Sequence, residues 1–117
     1  MAAAAAGMIV AGPAWGHAKL RSTIPAADAR LQIAPKSLTL TFNEDARLAV
    51  LTLANGGRDI PVSIDRGAPA ASQVTVALPG LSTGKYVVKW SALSPHDGHV
   101  SKGTFSFEIV APAPAAH

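Results

Sequence analysis

From residue 38 to residue 109 apolar side chains recur at every second position: Leu38, Leu40 and Phe42; Ile60, Val62 and Ile64; Val74, Val76 and Leu78; Tyr86, Val88 and Trp90; Phe105, Phe107 and Ile109. A period of two belongs to pleated strands with one face turned to a core. Leu48 to Leu53 is more continuously apolar and predicts another strand, and Leu20 to Thr23 a short first one. Asn55-Gly56-Gly57 supplies the positive φ values of a hairpin turn into Arg58 to Ile64. Pro61 inside that run removes a ladder donor and pushes the strand toward an edge. Ala26 to Leu31 and Asn43 to Arg47 are expected as turns. Strands broken at Pro25, Pro35, Pro69, Pro79-Gly80 and Asp97-Gly98 predict an all-β sandwich or small Greek-key barrel of about seven strands. Leu40, Phe42, Val76, Leu78, Val88, Trp90, Phe105 and Phe107 are its expected core.

The two ends do not share this pattern. Residues 2 to 14 are uncharged and rich in Ala, long enough for a signal-peptide core and shorter than the ~20 residues of a membrane span. No Lys or Arg precedes this stretch. Ala14 and Gly16 stand at the third and first places before a cut between Gly16 and His17, which would make His17 the new N-terminus. Residues 1 to 16 are therefore expected to be a signal peptide, 17 to 110 the folded domain, and the Pro/Ala run 111 to 117 a disordered tail.

Composition narrows the chemistry. With no Cys among 117 residues, a disulfide framework, a thiolate zinc site and a Cys nucleophile are excluded. The formal charge of +3 comes from cations spread almost evenly along the chain, and aromatic residues make up only 5%. A nucleic-acid surface, which needs clustered phosphate contacts and stacking rings, is not expected.

His96-Asp97-Gly98-His99 falls between the Tyr86 to Leu93 and Gly103 to Val110 strands, at one end of the sandwich. In extended backbone, residues two apart share a side, so Asp97 and His99 would present a carboxylate and an imidazole together, with Gly98 leaving room for close approach. Taken alone, the motif also reads as an ordinary Asp-Gly turn flanked by solvated imidazoles. His17 changes the balance. Once terminal, its α-amine and ring Nδ1 can chelate one metal ion, with Asp97 and His99 in the remaining equatorial places. Three nitrogens and one oxygen suit tetragonal Cu(II); zinc accepts the same donors but favours a tetrahedron. Metal binding must displace a proton from an amine that titrates near ~7.7–8.0 when free, so binding weakens in acid.

His17-Ala18-Lys19-Leu20, Leu40-Thr41-Phe42-Asn43-Glu44, Leu81-Ser82-Thr83-Gly84-Lys85-Tyr86 and Asp97-Gly98-His99 followed by Gly103-Thr104-Phe105-Ser106-Phe107 together resemble the CopC family of periplasmic copper-binding proteins. The resemblance covers about residues 17 to 110. It implies an immunoglobulin-like Greek-key sandwich that holds one Cu(II) ion on His17, Asp97 and His99, with Glu44 as an axial or outer group. It further implies a monomer serving copper homeostasis or resistance, with an inner-membrane copper transporter of the CopD type as partner. Two departures stand out: Val100 replaces the Pro that commonly follows the motif His, and His96 is an additional imidazole that competes or assists.

Other classes remain at this point. A His-brace copper oxidase of the polysaccharide monooxygenase type would need an open metal position, which Asp97 would fill, and stacking aromatics, which are few. A metal-free interaction module would need only that His17 not be terminal.

Some relatives carry a Cu(I) site in a Met-rich loop, but here the two methionines are Met1 and Met8, so no dedicated Cu(I) site is expected. Ascorbate should accordingly loosen the bound copper, and competition against a Cu(I) chelator should strip the ion from the domain; retention below roughly picomolar Cu(I) would contradict this.

Overall fold

The computed structural model describes residues 19–96 and 98–111, so the expected signal segment, its cleavage point, Asp97 and the Pro/Ala tail beyond Ala111 lie outside the described residues. Seven strands follow in order: β1 Leu20–Ile24, β2 Ala29–Leu31, β3 Ser37–Asn55, β4 Arg58–Ile60, β5 Ala71–Ala77, β6 Gly84–Leu93 and β7 Val100–Ile109. The all-β expectation holds, and no helix occurs among the described residues.

The organising element is β3, with 19 residues. Its first half lies between β1 and β5, both antiparallel, with Leu40 opposite Thr23 and Val74. Its second half pairs with β6, Leu53 opposite Val88, and makes the β4 hairpin. The larger sheet continues from β6 to β7 and ends on β2, which runs parallel to β7. Two layers thus share one bent strand. The sequence pattern predicts two strands, Leu38–Phe42 and Leu48–Leu53, with a turn at Asn43–Arg47; that turn does not form. Asn43 to Arg47 stays extended and carries the chain from one layer to the other.

The inward phase shows how. Leu38, Leu40, Phe42, Ala46 and Leu48 are buried at even positions, whereas Leu51 and Leu53 are buried at odd ones. The switch occurs where the β6 ladder skips Ala49, a bulge in which one extra residue reverses the facing of everything after it. Leu48 to Leu53 therefore reads as continuously apolar rather than alternating. The Ala49 carbonyl accepts a 2.8 Å hydrogen bond from Arg66 Nε, which ties the connection after β4 onto the bulge.

Two further expectations change. The Arg58–Ile64 run pairs only as far as Ile60, because Pro61 offers no donor and the chain leaves the ladder there. Ala26–Leu31 turns at Ala27-Asp28 and then forms β2, too short for any periodicity to announce. Arg30 and Glu108, opposite each other on β2 and β7, pair at 3.5 Å. The hairpin at Gly56-Gly57 forms with φ of 56° and 88°, values that favour glycine.

Of the expected core residues, Leu40, Phe42, Val76, Val88, Trp90, Phe105 and Phe107 are buried, and Leu78 packs against them partly exposed. Phe42 meets Trp90 edge-on with ring centroids 5.5 Å apart, and Tyr86 stacks on Phe107 at 5.4 Å. Tyr86 also donates its hydroxyl to the Ser82 carbonyl at 2.7 Å, fastening the loop before β6 in the manner of the tyrosine corner of immunoglobulin-like sandwiches.

Tyr86→Phe keeps the stack and deletes that hydrogen bond, and should lower the unfolding free energy by about 1 kcal/mol in a urea titration. Phe42→Ala, which empties the junction between the layers, should cost ~3–5 kcal/mol in the same experiment.

Candidate functional site

The bend in β3 collects three pieces of chain at one end of the molecule. At its start, Lys19 is fastened to Asn43 by two hydrogen bonds: the Asn43 amide donates to the Lys19 carbonyl at 2.8 Å, and the Lys19 amide donates to Asn43 Oδ1 at 2.7 Å. At its finish, Arg47 lies opposite Leu93, the last residue of β6, which in turn faces Val100, the first of β7. Asn43 and Arg47 are four extended residue steps apart, at most about 13 Å of chain. The entry to β1 and the β6–β7 connection therefore lie at the same end. Arg47, Leu93, Ser94, Pro95 and Gly98 line a groove of about 250 Å³ there.

The β6–β7 connection is a closed turn. The Ser94 amide donates to the His99 carbonyl and the Gly98 amide to the Ser94 carbonyl, both at 2.9 Å. His96 and His99 are exposed on it. Gly98 has φ of 73°, so the backbone is not extended where the same-side reading of Asp97 and His99 needs it to be. Glycine is required here for its conformation rather than for close approach, because a Cβ at Gly98 would meet nothing within 4 Å.

Glu44 follows the inward phase of Phe42 and Ala46, on the bend itself and beside the residue that fastens Lys19. It is half-buried, and its Oε2 is buried without a hydrogen-bond partner. An ionised carboxylate only accepts, so an oxygen left in this position fits a cation or a donor brought from outside. Ser94, beneath the turn, is 2% exposed, and its hydroxyl also lacks a partner. Both groups border the same end of the fold.

Of the sequence-predicted site residues, the structure thus places Glu44 on the bend and His96 and His99 on the turn; His17 and Asp97 lie outside the described residues. Among the described residues no group of three or more His, Asp or Glu side chains converges to hold a metal ion. Sequence reasoning assigned no role to Asn43 or Ser94. Asn43 stands within a quoted segment, but a side chain that captures a distant amide leaves no periodic signal.

Comparison with known proteins bears on the whole domain. A family model described as the CopC domain matches residues 20–110. Copper resistance protein C of Pseudomonas syringae pv. tomato is 33% identical over 117 residues, covering 90% of each chain. Protein YobA of Escherichia coli K12 is 32% identical over 100 residues, covering 81% of this chain and 80% of that one. Among solved structures, CopC from Methylosinus trichosporium OB3b superposes with a TM-score of 0.69 at 25% identity, over 86% of this chain and all of that one. PcoC from Escherichia coli, described as a methionine-rich copper resistance protein, superposes with a TM-score of 0.66 at 26% identity, over 80% and 99%.

A carboxylate oxygen held without a partner is a cost to the metal-free fold. Glu44→Gln should therefore leave the metal-free protein as stable as the parent or up to about 1 kcal/mol more stable, measured by thermal or urea unfolding in the presence of a chelator. A loss of more than that amount would mean that the carboxylate serves the fold rather than the site.

Proposed function

The chain belongs to the CopC family, and we propose that, cut before His17 and exported to the periplasm, it binds one Cu(II) ion and sequesters or delivers copper without chemical turnover. The donors are the His17 amine and imidazole, the Asp97 carboxylate and the His99 imidazole, with Glu44 beside them.

The observation that carries this reading is the double hydrogen bond between Lys19 and Asn43. It anchors the chain two residues after His17, on the bend and next to Glu44. Two residues span about 7 Å, enough for a terminal His17 to reach the end of the sandwich that bears His99. The chemistry of the donors supports Cu(II): imidazole, amine and carboxylate are hard to borderline ligands, and Cu(II) heads the divalent affinity order. With no Met after Met8 and no Cys, the domain lacks the soft donors that hold Cu(I). His96, on the solvent side of the turn, is dispensable for holding the ion. An inner-membrane transporter of the CopD type is the proposed exchange partner.

Competition against a colorimetric Cu(II) chelator tests the donor set. The processed chain should bind one equivalent tightly. One extra residue before His17, or His99→Ala, should weaken it by roughly a hundredfold or more, whereas His96→Ala should stay within a few-fold. Equal affinity in all four forms would leave the chain a metal-free interaction module.

A further inference from the structure

The cations that are evenly spaced along the sequence are not evenly placed on the fold. On β6 the even residues Tyr86, Val88, Trp90 and Ala92 are buried, so Lys85 and Lys89 face outward. On β7 the inward set is Phe105, Phe107 and Ile109, which turns Lys102 to the same outer face. Arg47, opposite Leu93, joins them from β3. All four are exposed.

Their neighbours separate Lys85 from the rest. Lys85 lies opposite Glu108, whose carboxylate also meets Arg30 at 3.5 Å. Lys89 instead lies between Thr52 and Thr104, Lys102 opposite Ser91, and Arg47 opposite Leu93. None of these three has an acidic residue across the ladder. Lys89 and Lys102 are diagonal neighbours, about 7 Å apart on the pleat, where like charges repel. Thr52, Thr104 and Ser91 keep the face polar around the two lysines. This basic patch adjoins the end of β6 and the start of β7, the strands that carry the His99 turn.

We propose that this outer face of β6 and β7 docks an acidic protein surface, the one with which copper is exchanged; the copper part of the statement rests on the function proposed above. A protein fits better than a membrane. Phe42, Tyr86, Trp90, Phe105 and Phe107 are all buried, so the face offers no ring to a lipid interface, and its exposed large apolar side chains are two valines, Val50 and Val100. Complementary charge gives such a contact speed and register rather than strength, which suits a partner that must also leave.

The experiment uses a fluorescein-labelled peptide of about eight glutamates as the acidic probe, with anisotropy read at low and at physiological ionic strength. Lys89→Glu with Lys102→Glu should weaken binding by roughly tenfold or more at low salt, and the control Arg21→Glu with Lys36→Glu, equal in charge change but outside this face, by less than about threefold. Equal losses in the two double variants, or none in either, would overturn the proposal. Tighter binding to vesicles containing one-third phosphatidylglycerol, with the same dependence on Lys89 and Lys102, would overturn it in favour of a membrane. Cu(II) competition on the same proteins separates the two readings: Lys89→Glu with Lys102→Glu should keep the parental Cu(II) affinity. A parent that binds the peptide on this face but takes no Cu(II) would overturn the copper reading and leave the docking face standing.

Discussion

Everything at the functional end depends on β3 remaining a strand while it changes sheets. A true turn at Asn43–Arg47 would have let the two layers choose their own offset. A continuous backbone does not, because the ladders on either side of the bend are counted along one chain. Asn43 therefore meets Lys19, and Arg47 meets the end of β6, at a separation set by four peptide units. The bulge at Ala49 completes the device by reversing the inward phase, so that Leu48 and Leu51 both reach the core despite their odd spacing. Arg66 occupies the Ala49 carbonyl and holds the irregularity in place.

The same bend carries the structure's unresolved polar balance. Across the sandwich, polar groups are paired by ladders or by contacts such as Tyr86 with Ser82. Glu44 Oε2 and the Ser94 hydroxyl are the buried side-chain atoms that lack a partner among the described residues, and both sit at the end where the first strand and the β6–β7 turn meet. Orphaned groups cost a fold stability and persist where something else selects them. Their placement separates this end of the sandwich from the opposite one, where Gly56-Gly57 makes an ordinary tight hairpin.

What the sequence revealed follows from which interactions are periodic. Alternation at Leu38 to Phe42, Tyr86 to Trp90 and Phe105 to Ile109 announced strands because burial on a pleat repeats every two residues. Pro61 marked the limit of β4 because a missing donor acts locally. The fusion of two strands into β3 was hidden, since Asn43, Asp45 and Arg47 are polar at the bend and look like a turn unless the inward phase of Glu44 and Ala46 is followed through them. The three residues of β2 are held by partners about eighty positions away and carry no local signal. The basic face was equally hidden: Lys89 and Lys102 are unremarkable in a linear count and become neighbours only through the β6–β7 register. At the candidate site, His96 and His99 are legible in the chain and Glu44 only through the family resemblance, and all three appear at one end of the fold; Asp97 lies outside the described residues, and the positive φ of Gly98 is a local turn conformation that a reading of extended backbone does not anticipate.

Trp90 gives the bend a built-in optical reporter. Its indole lies against Gly103, where a Cβ would come within 3.0 Å of the ring, and its edge contact with Phe42 reaches the strand that changes layers. The chain has two tryptophans, and a polypeptide starting at His17 keeps only this one. Emission from such a protein comes from a single ring wedged between a glycine and the shared strand, so its colour and intensity record whether the two layers are still joined at the bend.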